Sequence, residues 1–295
     1  MIVYKSCPNC GNKNIIPVLS AKDYTVSGDH FEIWECKDCS FRFTQNIPDK
    51  DKIGKFYQSE NYISHTDTAK GFINNLYHKV RKRTLVQKRK LVEKVTGMSR
   101  GNILDMGCGT GAFLDTMKNS QWDTTGLEPD KTARDKALEL YGLNLDTPGI
   151  FYSLPEKTFD AITLWHVLEH VHDLHDYIGQ LKKLLTHGGK LFIAVPNYTS
   201  YDAEIYKEFW AAYDVPRHLY HFSPGSMKIL LNQHGLKLEM MKPMWFDSVY
   251  VSMLSEQYKT GKSHPVKALF SGLVSNIQTL MDKEKCSSII YVASA

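Results

Sequence analysis

The stretch NILDMGCGTGAF, from Asn102 to Phe113, decides which fold the sequence can adopt. An apolar run ends in Asp105 and leads into three glycines at alternate positions. This pattern is typical of a β-strand that turns tightly into a helix around a ligand, because glycine allows close approaches that a Cβ would block. Most such turns hold a phosphate, which a carboxylate at position 105 would repel. The sequence therefore indicates a ligand with positive charge.

The chain beyond this turn alternates strand and helix patterns. GLEP (126–129) ends a second strand, FDAITLW (159–165) is a further strand, and KLFIAVPN (190–197) follows as a buried strand. Between them, DKTARDKALELYG predicts a helix that begins after Asp130 as N-cap and stops at Gly142. Such repetition predicts an α/β fold with a doubly wound, mainly parallel sheet, whose ligands bind at the carboxyl ends of the strands.

Two acidic residues identify the ligand better than the glycines do. With Ala112, the glycines also satisfy a dinucleotide fingerprint, so on their own they leave NAD open. Glu128, at the end of the second strand, stands where an acid accepts hydrogen bonds from a ribose diol. A carboxylate at Asp105 suits an ammonium or sulfonium group, since opposite charges at ~4 Å attract by several kcal/mol. S-adenosylmethionine has this chemistry.

Three motifs, ILDMGCGTG, GLEP and FDAITLWHVLEHV, occur in this order and make the sequence similar to the class I S-adenosylmethionine-dependent methyltransferases. The resemblance covers about 102–197, and more loosely the chain to Ala295. It implies a seven-stranded Rossmann-like sheet whose last strand is antiparallel. It also implies that the glycine loop holds the methionine part of the donor, that Glu128 holds the ribose, and that Pro129 lies against the adenine. The donor-binding set it implies is Asp105, Gly107, Cys108, Gly109, Gly111, Glu128, Pro129, Trp165 and His166, with Tyr62 covering the cofactor.

The letters HVLEH, His166 to His170, also match a zinc-peptidase signature. We reject this interpretation, because such a site needs both histidines within one helix, whereas His166 directly follows an apolar strand. We expect His170, His172 and His175 to form the solvated start of the next helix. His166 alone keeps a functional interpretation, as a wall of the donor site.

Four of the six cysteines form two C-x-x-C pairs, CPNC and CKDC. Four thiolates at this spacing predict a closed, structural Zn²⁺ site, and about 35 residues cannot bury enough apolar surface to fold without such a metal. We interpret the segment as a structural or substrate-covering module. The alternative is contact with RNA, because some ribosomal-RNA methyltransferases resemble this layout. The predicted zinc ligands are Cys7, Cys10, Cys36 and Cys39.

The composition indicates three regions: a zinc-binding module at 1–45, a helical cap or linker at 46–100, and a donor-binding methyltransferase domain at 101–295. In the basic segment HKVRKRTLVQKRKL, apolar residues recur at helical spacing, so the charges are expected to form an exposed face. The net charge is +4, and the basic and acidic residues are interspersed along the chain, which argues against a nucleic-acid partner. No apolar run reaches the ~20 residues of a membrane span and no leader pattern opens the chain, so we expect a cytoplasmic protein.

The segment YKEFWAAYDVPRHLYHFSP (206–224) is the predicted acceptor region. It resembles a motif in methyltransferases of bacterial surface-sugar and secondary-metabolite pathways, which implies a small-molecule or glycan acceptor. His218 is the candidate general base, oriented by Asp214 or Arg217, with His166 on the donor side.

Other interpretations of the same sequence remain open. The acceptor segment could be a lid in which Trp210 and Phe222 pack as core, and in which Arg217 and His218 make structural hydrogen bonds. The chain could be an RNA methyltransferase that uses its zinc module for RNA contact. It could also be a regulator that binds the donor without turnover.

Overall fold

The computed structural model describes residues 1–57, 72–262 and 265–295. Within these residues the chain forms two compact units. One unit comprises residues of 1–57, 168–175 and 194–291, and the other comprises residues of 72–167, 176–193 and 292–295.

The helices and strands alternate along most of the chain. The helices are α1 (Phe72–Thr96), α2 (Ala112–Lys118), α3 (Lys131–Tyr141), α4 (Leu174–Leu184), α5 (Tyr201–Tyr206), α6 (Pro224–Gln233), α7 (Asp247–Thr260) and α8 (Pro265–Met281). The strands are β1 (Ile15–Lys22), β2 (His30–Cys36), β3 (Arg42–Thr44), β4 (Asn102–Met106), β5 (Asp123–Leu127), β6 (Phe159–Trp165), β7 (Leu185–Pro196), β8 (Tyr220–His221), β9 (Lys237–Pro243) and β10 (Ser288–Ser294). None of the helices in the described ranges is long and apolar enough to cross a membrane.

The main sheet has the strand order β5-β4-β6-β7-β10-β9. Strand β4 pairs in parallel with both β5 and β6, and the register places Asp105 opposite Gly126 on one side and opposite Thr163 on the other. The carboxyl ends of these three strands therefore meet at one edge of the sheet, where ligands of such folds bind. The predicted doubly wound, mainly parallel α/β fold is confirmed.

The predicted count of seven strands is wrong, because the sheet that the described residues form contains six. At the outer edge of β5, the described residues add an isolated parallel bridge between Leu127 and Asp146. Two hydrogen bonds hold it, from the Glu128 amide to the Asp146 carbonyl (2.9 Å) and from the Asp146 amide to the Gly126 carbonyl (3.0 Å). Pro148 begins a 3-10 helix two residues later, and its ring nitrogen has no hydrogen to extend the ladder.

Helix α3 begins and ends where the sequence predicts. The Asp130 side chain accepts a hydrogen bond from the Ala133 amide at 2.9 Å, and Gly142 ends the helix in the left-handed conformation at φ +60°. The N-cap thus lies two residues beyond Glu128, and it directs the chain away from the sheet immediately after the strand that carries this acid.

The unit that comprises residues of 1–57, 168–175 and 194–291 contains a four-stranded sheet in the order β1-β2-β3-β8. Strand β8 pairs antiparallel with β3, which places Tyr220 opposite Phe43 and His221 opposite Arg42. The core of this unit includes Ile33, which is fully buried. The sheet that carries the N-terminal cysteines is therefore completed by the acceptor segment predicted from the sequence, and residues 1–45 do not form it alone.

We predict that Asp130→Ala lowers the free energy of unfolding by ~1 kcal/mol, because the substitution leaves the Ala133 amide without its cap. Urea unfolding measures the change. Asp135→Ala is the matched control: its ion pair with Lys131 (2.7 Å) is highly exposed, and we expect a change below ~0.5 kcal/mol. Equal losses in the two variants would contradict the assigned cap.

Candidate functional site

The glycine turn after β4 has the shape that the sequence predicts. Gly107 and Gly111 adopt φ values of +60° and +78°, which favour glycine. A Cβ on Gly107 would lie 2.7 Å from Cγ2 of Val167, and one on Gly111 would lie 3.0 Å from Cδ1 of Leu143. Side chains at these positions would force the turn open, so the glycines keep it closely packed.

Asp105 is buried at the end of β4, with 1% of its surface exposed. The Thr163 hydroxyl donates a hydrogen bond to its Oδ1 at 2.5 Å. Burial raises the pKa of Asp105 to about 7, although the Thr163 hydrogen bond and the charge of Lys88 act in the opposite direction. In this buried environment, the ionised form of the carboxyl group is stabilised when a cation binds beside it.

Glu128 holds the glycine turn in place. Its Oε2 accepts a hydrogen bond from the Gly109 amide at 2.7 Å, and its Oε1 accepts one from the Asp130 amide at 2.9 Å. Burial raises its pKa, and these two amides partly offset that effect. Each carboxylate oxygen has a second lone pair, so Glu128 can accept further hydrogen bonds from a ligand.

Trp165, at the end of β6, forms an aromatic wall in the same unit. Its ring packs edge-on against Phe113, with the ring centroids 5.5 Å apart, and Nζ of Lys88 lies 4.2 Å from its centroid. Its buried Nε1 has no hydrogen-bond partner among the described residues. A buried donor of this kind fits a site that a polar ligand completes.

Sequence reasoning missed Lys88 and Thr163. The basic residues of α1 were expected to form an exposed face, but Lys88 is half-buried and contacts Trp165. Lys88 lies three residues before Leu91 and four before Val92, both of which are buried, so it lies on the inward face of the helix. This spacing could have identified Lys88 as an inward-facing residue from the sequence. Thr163 lay within an apolar strand pattern, and only the register of β4 with β6 brings it to Asp105.

Three further residues of the predicted donor site, His166, Cys108 and Pro129, follow the ends of β6, β4 and β5. His166 follows Trp165 with a left-handed φ of +60°, which is uncommon for a residue other than glycine. Burial raises the pKa of the Cys108 thiol well above its usual range, so this thiol stays protonated. Pro129 is exposed, and Tyr62 lies outside the described residues.

The four predicted zinc ligands come together, because one ligand atom of each lies within 4.8 Å of the others. The Sγ atoms of Cys7 and Cys39 are 3.5 Å apart, as are those of Cys10 and Cys36. Four sulfurs bound to one zinc ion at about 2.3 Å lie about 3.8 Å apart, so the cluster has nearly the required size. The amides of Asn9 and Cys10 point at Sγ of Cys7 at 3.4 and 3.5 Å and would stabilise its thiolate.

His218 and Asp214 lie in the unit that holds the cysteine cluster. Nδ1 of His218 bonds the Ala212 carbonyl at 2.8 Å, and its Nε2 lies 3.9 Å from Oδ2 of Asp214. Arg217 is buried; its guanidinium donates two hydrogen bonds to Asp214 and one to Asp23 at 3.1 Å. Burial acts to raise the pKa of Asp214, but the hydrogen bonds and charge of Arg217 outweigh it and keep the pKa low.

The expectation that His170 is solvated is wrong. Its ring packs edge-on against His218 with centroids 4.6 Å apart, and its Nδ1 lies 3.0 Å from the Arg217 carbonyl. Burial lowers the pKa of His170 to about 4, so the ring is neutral at neutral pH. His170 ends a 3-10 turn rather than an α-helix, which agrees with rejecting the peptidase signature.

Comparisons with known proteins agree with this geometry. Residues 77–240, more than half of the chain, match the family described as a methyltransferase domain. The ubiquinone biosynthesis O-methyltransferase of Vibrio cholerae is 33% identical over 115 residues, which cover 36% of this chain and 46% of that protein. The enzyme of the same name from Nitrosococcus oceani is 29% identical over 185 residues, covering 58% and 75%. The chain thus spans about half the length of the first of these curated relatives.

A solved structure supports the fold. Haemonchus contortus phosphoethanolamine N-methyltransferase 2 in complex with S-adenosyl-L-methionine superposes with a TM-score of 0.53 at 16% identity, and covers 86% of this chain and 61% of that one. At this identity the likeness concerns the fold alone. Together with the family match and the carboxyl groups at the glycine turn, it identifies the chain as a member of the class I S-adenosylmethionine-dependent methyltransferase family.

Proposed function

We propose that the protein transfers a methyl group from S-adenosylmethionine to a small-molecule acceptor. The observation that carries this proposal is the pair of buried carboxyl groups, Asp105 and Glu128, at a glycine turn in a methyltransferase-family chain. A phosphate-bearing cofactor would meet repulsion there, whereas a ligand with ammonium and sulfonium groups meets attraction.

The residues present fit this donor. Asp105 offers a carboxylate to its positive charge, and Glu128 offers lone pairs to its ribose hydroxyls. The unpartnered Nε1–H of Trp165 is able to donate to a ligand oxygen or nitrogen. Cys108, as a protonated thiol, serves as a small residue in the turn, and Pro129 is open to contact with the adenine. His166 is proposed as a further contact on the donor side.

We assign proton removal from the acceptor to His218. A carbonyl oxygen only accepts hydrogen bonds, so Nδ1 carries the hydrogen and Nε2 of the neutral ring keeps its lone pair. The acceptor oxygen bonds to the methyl carbon as the carbon–sulfur bond breaks, and the acceptor's proton passes to Nε2. Asp214, ionised beside it, stabilises the resulting imidazolium, as in other acid–base sites.

A small molecule with a hydroxyl group is the proposed acceptor. The curated relatives are named as O-methyltransferases of ubiquinone biosynthesis, which supports this class. A glycan acceptor rests only on the resemblance of segment 206–224 to surface-sugar methyltransferases. Transfer of tritiated methyl groups to a panel of phenols, sugar nucleotides and RNA separates these classes. Donor binding without transfer to any of them would favour the regulator.

We also propose that the cysteine cluster binds one structural Zn²⁺ ion. Four thiolates leave no coordination position open for catalysis, so the metal would stabilise the fold of this segment. Asn9 supports this role, because its Nδ2 donates to the Ser226 carbonyl in α6 at 3.1 Å and connects the first pair of cysteines with the helix.

The first prediction of the proposed function concerns the protons that are released when the donor binds. Because the pKa of Asp105 is about 7 in the free protein, part of the population is protonated near pH 6.5. A bound cation favours the carboxylate, so binding releases protons at this pH, and the release vanishes well above pH 7. Titration calorimetry in two buffers of different ionisation enthalpy measures it.

Asp105→Asn should abolish this release and weaken donor binding by ~10-fold or more. Asp123→Asn, at an exposed position in the neighbouring strand β5, is the control and should leave both quantities unchanged. Tight binding of NAD by the parent protein would overturn the donor assignment.

The second prediction concerns His218. With the acceptor found in the panel, His218→Ala should lower turnover by ~100-fold or more and leave donor affinity unchanged, the size expected for loss of a general base. His175→Ala, which alters a histidine bonded to His234, should turn over normally. If His218→Ala also turns over normally, the segment has the structural role that its buried Trp210 and Phe222 already suggest.

The third prediction is one zinc ion per chain by elemental analysis. Changing Cys36 and Cys39 together to Ser should remove it, because two thiolates cannot complete the tetrahedral site. Cys108→Ser should keep the metal, since this thiol lies outside the cluster. Zinc retained by the double variant would disprove the ligand set.

A further inference from the structure

Helices α7 and α8 carry an unusual concentration of exposed apolar side chains. Nine of the seventeen large hydrophobic residues exposed among the described residues lie within 245–281. In α8, Leu280 is 74% exposed. We define the outer face of the two helices by six of these residues: Tyr250, Met253, Phe270, Leu273, Ile277 and Leu280.

Among the side chains of these helices that the structure describes, the fully buried ones are small or polar, and Val251 of α7 is partly buried against apolar core. The fully buried ones include Ser248, Ser252 and Ser255 in α7, and Ser275 and Thr279 in α8. This distribution is the reverse of the usual one for a helix on the surface of a globular protein, in which apolar residues face inward.

The two helices approach each other closely through these small residues. A Cβ on Gly272 of α8 would lie 2.8 Å from Cα of Val249 in α7. The Ser248 hydroxyl donates to Oδ1 of Asn276 at 2.9 Å across the same contact. Glycine and serine at a helix–helix contact, with apolar residues outside, is the arrangement that helices use when their surroundings are lipid.

Charge at one end of the pair favours a lipid surface over a protein partner. Lys259 and Lys262 are exposed where α7 ends, and Lys267 follows in α8. Lys267 is also exposed, but it pairs with the buried Glu256 at 2.8 Å, so its charge is balanced, and Lys259 and Lys262 add exposed positive charge at this end. Lysines beside an apolar face match the anionic headgroups and acyl region of a bilayer surface.

A second copy of the chain fits this face less well. The spacing of Phe270, Leu273, Ile277 and Leu280 would suit a helix–helix seam, but such seams choose their partners through charges beside the apolar positions. The flanking positions in α8 are Val274, Asn276 and Met281, none of which is charged.

We propose that the outer face of α7 and α8 docks the protein on the surface of an anionic lipid bilayer. The apolar side chains enter the interfacial region, and Lys259 and Lys262 contact the headgroups. The helices lie on the membrane and do not span it, in agreement with the absence of a membrane-crossing helix from the described ranges.

Vesicle flotation with the full chain tests this proposal without any measurement of activity. We expect binding to phosphatidylcholine vesicles that contain about one third phosphatidylglycerol, and weaker binding to phosphatidylcholine alone. Changing Phe270 and Ile277 together to Ser should lower the partition coefficient by ~10-fold or more. Lys259→Glu with Lys262→Glu should lower binding to the anionic vesicles only.

The matched control changes two exposed leucines of α3, Leu138 and Leu140, to Ser, and it should leave the partition coefficient unchanged. Unchanged thermal unfolding shows that the variants fold. Failure of the parent chain to bind anionic vesicles, or an equal loss in the control, overturns the proposal. An outer-face variant that binds vesicles as well as the parent chain also overturns the proposal. If sedimentation then shows that the parent chain is a dimer and this variant is a monomer, the outer face binds a second copy of the chain.

Discussion

The structure of the candidate donor site depends on two carboxyl groups buried at the ends of neighbouring strands. Desolvation opposes the charge on Asp105 and Glu128 and raises the pKa of each. Thr163 and the amides of Gly109 and Asp130 donate hydrogen bonds to these carboxyl groups, and the bonds offset part of the cost of desolvation. A cationic ligand would remove the remaining cost, so the free protein is suited to a ligand such as a sulfonium compound.

The same bonds connect the ligand site to the fold. Glu128 accepts from the Gly109 amide, so the residue proposed to hold the ribose also holds the turn proposed to hold the methionine part. Val167 fills the space where a side chain on Gly107 would lie. Changes at the turn therefore affect the backbone and the ligand contacts together, and Asp105→Asn is the better probe because it keeps the shape of the side chain.

Local patterns predicted the features that short stretches of sequence determine. Asp130 and Gly142 could be predicted as the two ends of a helix, because each makes its capping interaction with residues only a few positions away. The C-x-x-C pairs bring two ligands together by their spacing alone. Features that depend on distant parts of the chain were not accessible. The Arg217–Asp23 ion pair joins residues 194 positions apart, and the register of β4 with β6 alone brings Thr163 to Asp105. In the described part of the chain, the seventh strand does not form because Pro148 has no amide hydrogen with which to extend the pairing that begins at Asp146. This effect can be recognised only once the bridge between Leu127 and Asp146 is known.

The structure of a complex with S-adenosylhomocysteine is the most direct measurement of the donor site. We expect the homocysteine part to lie at the turn formed by Gly107, Gly109 and Gly111, and the ribose hydroxyls to lie within hydrogen-bond distance of the Glu128 carboxylate. A ligand bound with its ribose away from Glu128, or bound outside the glycine turn, would contradict the assignment of these carboxyl groups to the methyl donor.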